Sequence, residues 1–441
     1  MPSETAAPPG ATGDVLEALR DTRDRTLALV AQLDDDTLAR VHSPLMSPLV
    51  WDLGHIAAFE DLWLAHRAGG LPLLRADLAE VYDAFETPRA QRGELPYLRR
   101  AEALAYLEQV RERVRALAAD GTADGFLHEL VLRHEQQHTE TMLQTMELAH
   151  LPAPAPAPAP ASAPAHDVAA ADGALAALTG LELVEVPAGP CRVGAPAGRF
   201  AYDNERPCHE LELPAFRIGR APVTNGAFHA FVAGGGYRRP EWWSREAWAW
   251  KEQYDIERPA GWTADGCEWR MDRCEPLDPS KPVVHVSWFE ADAFARAHGA
   301  RLPTEAEWEK AATWEQETQT ARRQPWGDAP DGDAIATHAN VDQRSFGTLP
   351  VGTHPHGASP AGCLGMVGDA WEWTASRFDG YPGFAAHPYR EYSEVFFGGD
   401  HRVLRGGSWA TRARVATPAF RNWDHPQRRQ IFAGLRIAKD V

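Results

Sequence analysis

Two domains of different class are predicted for this 441-residue chain: an N-terminal four-helix bundle followed by an irregular α+β domain. Three observations carry the prediction. The chain before Leu151 shows apolar residues at helical spacing. A Pro/Ala repeat, LPAPAPAPAPASAPAHD (Leu151–Asp167), then breaks it. Beyond the repeat the apolar segments are short, Gly and Pro are frequent, and Trp recurs. The length also exceeds what one ordinary core supports.

The elements follow in order. Residues 1–13 are polar and rich in Pro and Gly, and read as a disordered tail. Asp14–Leu33 places Val15, Leu16, Leu19, Leu27, Val30 and Leu33 close to one helical face. Pro48–Ala68 is a second helix, with Pro at its start and Gly69-Gly70 just past its end. Ala101–Leu117, rich in Ala, Leu, Glu and Arg, is a third. The fourth runs from Asp124, a suitable N-cap, to Leu151, where Pro152 stops it. Four helices of this length suggest an antiparallel bundle over 14–151. Residues 152–175 read as an extended spacer, rising about 3.1 Å per residue. Residues 176–441 read as small strands, two short helices and long loops, and such loops are often functional.

Composition narrows the function classes. Hydrophobic content of 44% and charged content of 24% are those of a soluble globular protein. A net charge of -18 disfavours nucleic acid, whose binding rests on Lys and Arg. No apolar run is long enough for a membrane span. The N-terminus has neither a basic nor an apolar signal region, so a cytoplasmic protein is expected. The 16 Trp are expected chiefly as core fillers of a loop-rich fold. The five cysteines form no C-x-x-C pair, so neither a zinc ribbon nor a thioredoxin-type site is signalled.

Chemistry concentrates in LRHEQQHTET (Leu132–Thr141), which fits the H-E-x-x-H pattern of zinc proteases. On a helix His134 and His138 stand one turn apart and share a face. His55, inside SPLVWDLGHIAAFEDLW, is a third candidate on a facing helix. A single helical His is more often a surface residue or a satisfied buried group. The protease reading is weak, because no Gly and third His follow His138, and Glu140 and Glu147 lie on the helix of the pair. Three imidazoles without a thiolate suit Zn, Cu, Fe or Ni. The open positions they leave serve oxygen activation or zinc hydrolysis equally.

Motifs from both halves now combine: SPLMSPLVWDLGHI, YDAFETPRAQRGELPYL, HEQQHTETMLQ, DNERP, FRIGRAPVTNGAF, RLPTEAEWEKAA, GDAWEWT, RVLRGGSWA and FRNWDHPQRRQIFAGLRIA. Together they resemble the ergothioneine-biosynthesis sulfoxide synthases (hercynine oxygenases), of the bacterial type that uses γ-glutamylcysteine. The resemblance implies a DinB-like four-helix bundle followed by a C-type-lectin-like domain of the formylglycine-generating-enzyme type. It also implies Fe(II) as cofactor and hercynine, γ-glutamylcysteine and O2 as substrates. The product is a C–S bond at the hercynine imidazole with the sulfur left as sulfoxide. A monomer is expected, with no nucleic-acid or membrane partner and an active site between the domains.

The same resemblance implies roles. His55, His134 and His138 match the iron triad. Arg89 and Arg92 in PRAQR, with Asp424 and Arg428 in NWDHPQRR, match residues that hold the thiol donor. Two carboxylates suit Arg forks, and an α-ammonium suits an acid. Tyr389 in PYREY matches a proton donor that steers the outcome toward C–S coupling, with Tyr381 in GYPGF as its rival. Tyr392, Asn422 and Trp423 would surround hercynine, whose quaternary ammonium favours aromatic faces. Gln137 would bond the substrate imidazole. Two departures are noted. No Cys follows Cys363, so the cysteine pair of formylglycine-generating enzymes is missing, and Thr139 stands where close relatives would carry an acid. Alternatives are the same coupling with cysteine or a selenium donor, and a lectin-like binding module with a structural metal.

Overall fold

The computed structural model describes residues 12–119, 125–156, 175, 177–327 and 333–441. Residues 1–11 of the expected tail, the cap Asp124 and most of the Pro/Ala spacer lie outside these residues, while Thr12 and Gly13, expected in the tail, open the first helix. The described chain divides into two compact units, one up to Ala155 together with Ala197–Phe200, the other holding the rest. Among the described residues no helix is long and apolar enough to cross a membrane.

The first unit is helical: α1 (Thr12–Val30), α2 (Asp35–Ala39), α3 (Leu49–Glu60), α4 (Arg100–Ala119) and α5 (Gly125–Leu148). α1 packs on α5, and α3 packs on α4 and α5. The four long helices stand where periodicity placed them. The short α2 is an addition, and the Asp34-Asp35-Asp36 run explains it. Asp34 caps the helix by accepting from the Thr37 amide at 2.7 Å. Asp35 and Asp36 then sit in the first turn, where the helix dipole favours negative charge. The second predicted helix changes character at its end: Asp61–Ala68 is π-helical. The Gly69 amide reaches back five residues to the Leu64 carbonyl at 3.0 Å.

Inside the bundle lies a cluster of four charges that cancel. Arg23 bonds Glu135 at 2.8 and 3.1 Å and Glu60 at 2.8 Å. Arg111 bonds Glu60 at 2.6 and 3.0 Å and stands 3.5 Å from Glu135. All four residues are buried. Burial opposes the charge on Arg23, but Glu135 and Glu60 overcome it and raise its pKa.

Glycine matters at one position of α3. A Cβ on Gly54 would stand 2.2 Å from the Tyr82 ring, so the ring lies directly on the helix. Gly54→Ala gains about 1 kcal/mol of helix propensity, whereas displacing a packed ring costs about 1–3 kcal/mol. The expected net result is a lower melting temperature. A second expected result is weaker metal binding, because Tyr82 also orients a candidate ligand. Thermal denaturation and metal titration of the variant check both.

The spacer begins on the surface of α1. Gln32 donates to the Ala153 carbonyl at 2.9 Å and Arg25 to that of Ala155 at 2.6 Å. Extended Pro-rich chain makes no internal hydrogen bonds, so its carbonyls are open to such donors.

The second unit is mixed. β1 (Leu183–Val186), β4 (Phe216–Gly219) and β13 (Ala438–Asp440) form an antiparallel sheet with β4 central. The larger sheet has the order β11 (Asn422–Asp424), β10 (Arg402–Arg405), β9 (Trp371–Arg377), β12 (Ala433–Leu435). Its pairs are antiparallel except β9–β12, which is parallel. Among the described residues three two-stranded ribbons accompany the sheets: β2 (Gly189–Val193) with β3 (His209–Leu213), β5 (Cys267–Arg270) with β6 (Arg273–Pro276), and β7 (Trp314–Glu315) with β8 (Thr320–Ala321). Four short helices are present among the described residues where two were expected: α6 (Asn225–Ala233), α7 (Arg245–Gln253), α8 (Trp288–Ala297) and α9 (Glu305–Thr313). Capping boxes start α8 and α9, from Ser287 with Glu290 and Thr304 with Glu307. These are legible as S-x-x-E and T-x-x-E. Trp308, Trp371, Trp373 and Trp409 are buried core fillers. Beneath them Arg436 forks onto Glu372 at 2.9 and 3.0 Å, and Trp308 Nε1 donates to the same carboxylate at 2.7 Å.

Candidate metal centre and substrate residues

The H-E-Q-Q-H segment divides between two directions. Glu135 turns to the buried charge cluster and also accepts from Thr26 Oγ1 at 2.7 Å. Gln136 donates to Thr22 Oγ1 on α1 at 3.1 Å. Thr139 turns its hydroxyl to the Gln136 carbonyl at 2.7 Å. His134 and His138 instead face α3. There Trp51, His55 and Phe59, spaced one turn apart, form a stripe of rings. His134 stacks on Phe59, with centroids 3.6 Å apart and planes at 9°. His55 stacks on Trp51 at 4.9 Å and 12°.

His55, His134 and His138 meet with ring centroids 4.6–4.9 Å apart. One ring nitrogen from each lies within 4.8 Å of the others. Two of the rings are held by hydrogen bonds from outside the triad. His55 Nδ1 lies 2.7 Å from the Tyr82 carbonyl, which can only accept. That proton therefore sits on Nδ1, and the lone pair of a neutral His55 is on Nε2. His138 Nδ1 lies 3.2 Å from Asp52 Oδ1, with the same consequence. Such partners fix the tautomer and raise ligand basicity.

Protonation states agree with ligand use. Burial, and after it the neighbouring His138, push His55 and His134 well below the ordinary imidazole range. The two Nε2 atoms of His55 and His134 stand 3.1 Å apart. Neutral nitrogens that close need a proton or a cation between them. Three converging imidazoles, two of them pushed toward the neutral form, fit a borderline divalent transition metal.

Asp52, Tyr82 and Phe59 were not among the residues singled out from the sequence. Asp52 lies three residues before His55, but its use of His138, 86 residues away, has no local sequence signal. Asp52→Asn is expected to weaken metal binding about 10- to 100-fold, the usual cost of losing an orienting partner. Equilibrium titration of the metal-free protein measures it.

The arginines of PRAQR differ. Arg92 is 5% exposed and donates to the Thr87 carbonyl, Ser47 Oγ and the Ala84 carbonyl. Its guanidinium also lies 3.8 Å from the Trp51 ring centroid. Burial lowers its pKa to about 10. Three of its donors are thus committed to the fold, and two remain for a ligand. Arg89 is exposed, with a 3.3 Å bond to the Leu45 carbonyl. Gln137 is half-buried on α5 between the two histidines.

In the second unit Tyr389, Tyr392 and Trp423 come together. Tyr389 meets Tyr392 edge-on at 6.2 Å, and Tyr392 meets Trp423 edge-on at 5.9 Å. Trp423 is stacked on Phe378 at 4.0 Å, and Tyr392 on Tyr202 at 4.4 Å. The loop that carries the tyrosines is pinned by buried polar groups from DNERP. Ser393 donates to Asp203, Asn204 Nδ2 donates to Ser393 Oγ at 2.9 Å, and the His387 amide reaches Asp203 at 3.3 Å. Asn422 accepts from the Trp423 amide at 2.9 Å. Asp424 and Arg428 stand 3.5 Å apart as an ion pair, with Asp424 also accepting from Gln430 at 3.2 Å. Tyr381 is placed differently. It is buried, with its hydroxyl 3.5 Å from Glu305 and 3.4 Å from Arg405, and burial pushes its pKa upward.

Comparison with known proteins agrees with this division. Residues 18–149 match the DinB superfamily, and residues 172–441 match the sulfatase-modifying factor enzyme 1-like domain. The chain is 45% identical to a hercynine oxygenase of Mycolicibacterium thermoresistibile, over 97% of this chain and 95% of that protein. It is 44% identical to a hercynine oxygenase of Mycobacterium tuberculosis, over 96% and 98%. A formylglycine-generating enzyme of Mycobacterium tuberculosis is 34% identical, over 46% of this chain and 75% of that protein. With both halves matched in order and nearly the full length shared, the chain belongs to the hercynine oxygenase family and is an oxidoreductase.

Proposed function

We propose that this protein is an iron(II)- and O2-dependent sulfoxide synthase that joins γ-glutamylcysteine to hercynine in ergothioneine biosynthesis. The observation that carries the reading is the convergence of His55, His134 and His138, two of them oriented by hydrogen bonds, in a chain of this family. The reaction balances. One C–H and one S–H are lost, a C–S bond forms, one oxygen atom ends on sulfur and the other leaves as water. Fe(II), when bound, supplies open coordination positions and mediates the passage to O2 of four electrons, all of which come from the two substrates.

The remaining tasks fall to the chain's own side chains. Arg89 offers an exposed fork to a carboxylate of the donor, with Arg92 beneath it. Asp424 and Arg428 form a pair of opposite charges suited to the α-ammonium and a carboxylate of the same donor. The faces of Tyr392 and Trp423 suit a trimethylammonium group, which cannot donate a hydrogen bond. Gln137 hydrogen-bonds the substrate imidazole. Tyr389 supplies a proton, and the engagement of Tyr381 with Glu305 and Arg405 favours Tyr389 for that role.

Iron-loaded protein given hercynine, O2 and each of γ-glutamylcysteine, cysteine and a selenium donor tests the reading, with products identified by mass spectrometry. Sulfoxide from γ-glutamylcysteine is expected. Turnover with the selenium donor alone would overturn the choice of donor. Absence of oxygen uptake dependent on hercynine and thiol, in fully iron-loaded protein, would favour a binding module with a structural metal. Tyr389→Phe is expected to shift product from sulfoxide toward oxidised donor with metal content unchanged, and an unchanged product ratio would reassign the proton to Tyr381 or another group.

A further inference from the structure

A second gathering of ligand-bearing side chains lies in the second unit, at one end of the β10–β11 pair. The antiparallel register sets Arg402 opposite Asp424. Continued one step beyond the strand ends, it sets His401 opposite His425. Directly opposed residues of antiparallel chains place their side chains on one face. The two rings meet there, with centroids 4.1 Å apart and planes at 32°. Asp400, next in sequence to His401, closes the group: its Oδ1 lies 2.8 Å from His425 Nδ1. One nitrogen from each ring and one carboxylate oxygen lie within 4.8 Å of one another.

A surface His–Asp ion pair would be the plainer reading. It accounts for Asp400 and His425 but not for a second imidazole pressed on the first. His401 Nδ1 is buried and faces the Phe396 carbonyl without a well-formed hydrogen bond. Burial, and then His425, lower the proton affinity of His401. Burial raises the Asp400 pKa, but the hydrogen bond from His425 outweighs it and the net shift is downward. A neutral imidazole beside an ionised carboxylate is the state in which these groups ligate metals.

We propose that Asp400, His401 and His425 form a second divalent-cation site, separate from the bundle triad and suited to Zn2+, Co2+, Ni2+ or Cu2+. Two imidazoles and a carboxylate form a donor set that such ions accept. The exposed Asp400 side chain (57%) leaves water room to complete the coordination. An ion here would tie the start of β10 to the end of β11, the strand that carries Asn422, Trp423 and Asp424.

The test is a count of bound Zn2+ in the full-length protein, stripped of metal and then dialysed against buffered Zn2+. Two ions per chain are expected in the wild type. His425→Asn should retain one, and His138→Ala should retain the one that His425→Asn loses. Asp400→Asn changes only an exposed side chain and should weaken the same site, which guards against a folding defect in the histidine variant. One ion per wild-type chain, or two ions kept by both His425→Asn and Asp400→Asn, would overturn the proposal.

Discussion

His138→Ala is expected to abolish turnover and remove the metal from the bundle. The magnitude follows from the ring's place among three converging donors. Losing a partner that merely orients a ligand costs about 10- to 100-fold in affinity. Losing the ligand itself should cost more than about 100-fold on that scale. Folding should survive with some loss of stability, because His138 keeps some contact with solvent but its removal takes a hydrogen bond from the buried Asp52 carboxylate. Metal analysis, oxygen uptake and thermal denaturation separate these effects. A variant that keeps its metal and loses activity would mean that His138 acts on substrate rather than on the ion.

Glu135→Gln is expected to destabilise the bundle by about 3–5 kcal/mol, the usual cost of leaving buried charge uncompensated. Glu135 is 1% exposed and engages Arg23, Arg111 and Thr26. Glutamine keeps the shape but leaves two buried guanidinium groups facing Glu60 alone. Denaturant unfolding measures the loss. The zinc-protease pattern requires the opposite, a freely placed Glu whose replacement silences chemistry and spares the fold. Restoration of much of the stability on adding Arg23→Met would confirm that the defect is charge imbalance.

Much of the architecture was legible because helical periodicity is a local signal. The four long helices, the shared face of His134 and His138, and the change of character after the Pro/Ala repeat all follow from residues within a few turns of each other. Two features that local signals could have revealed were passed over. Asp34 is a plain N-cap for α2, and S-x-x-E and T-x-x-E announce α8 and α9.

Which residues could ligate, where the helices run and, through motifs from both halves, the family are all written along the chain. What each side chain does with that opportunity depends on packing. It turned Glu135 away from the triad to Arg23, a residue 112 positions distant. It gave His55 the Tyr82 carbonyl and His138 the Asp52 carboxylate. It committed most of Arg92 to Thr87, Ser47 and Ala84, and left Arg89 exposed. It set His401 against His425 through a strand register that neither segment encodes alone. The reason is physical. Periodicity and capping act over one or two turns of chain, whereas a buried donor takes its partner from whatever element packing brings within about 3 Å.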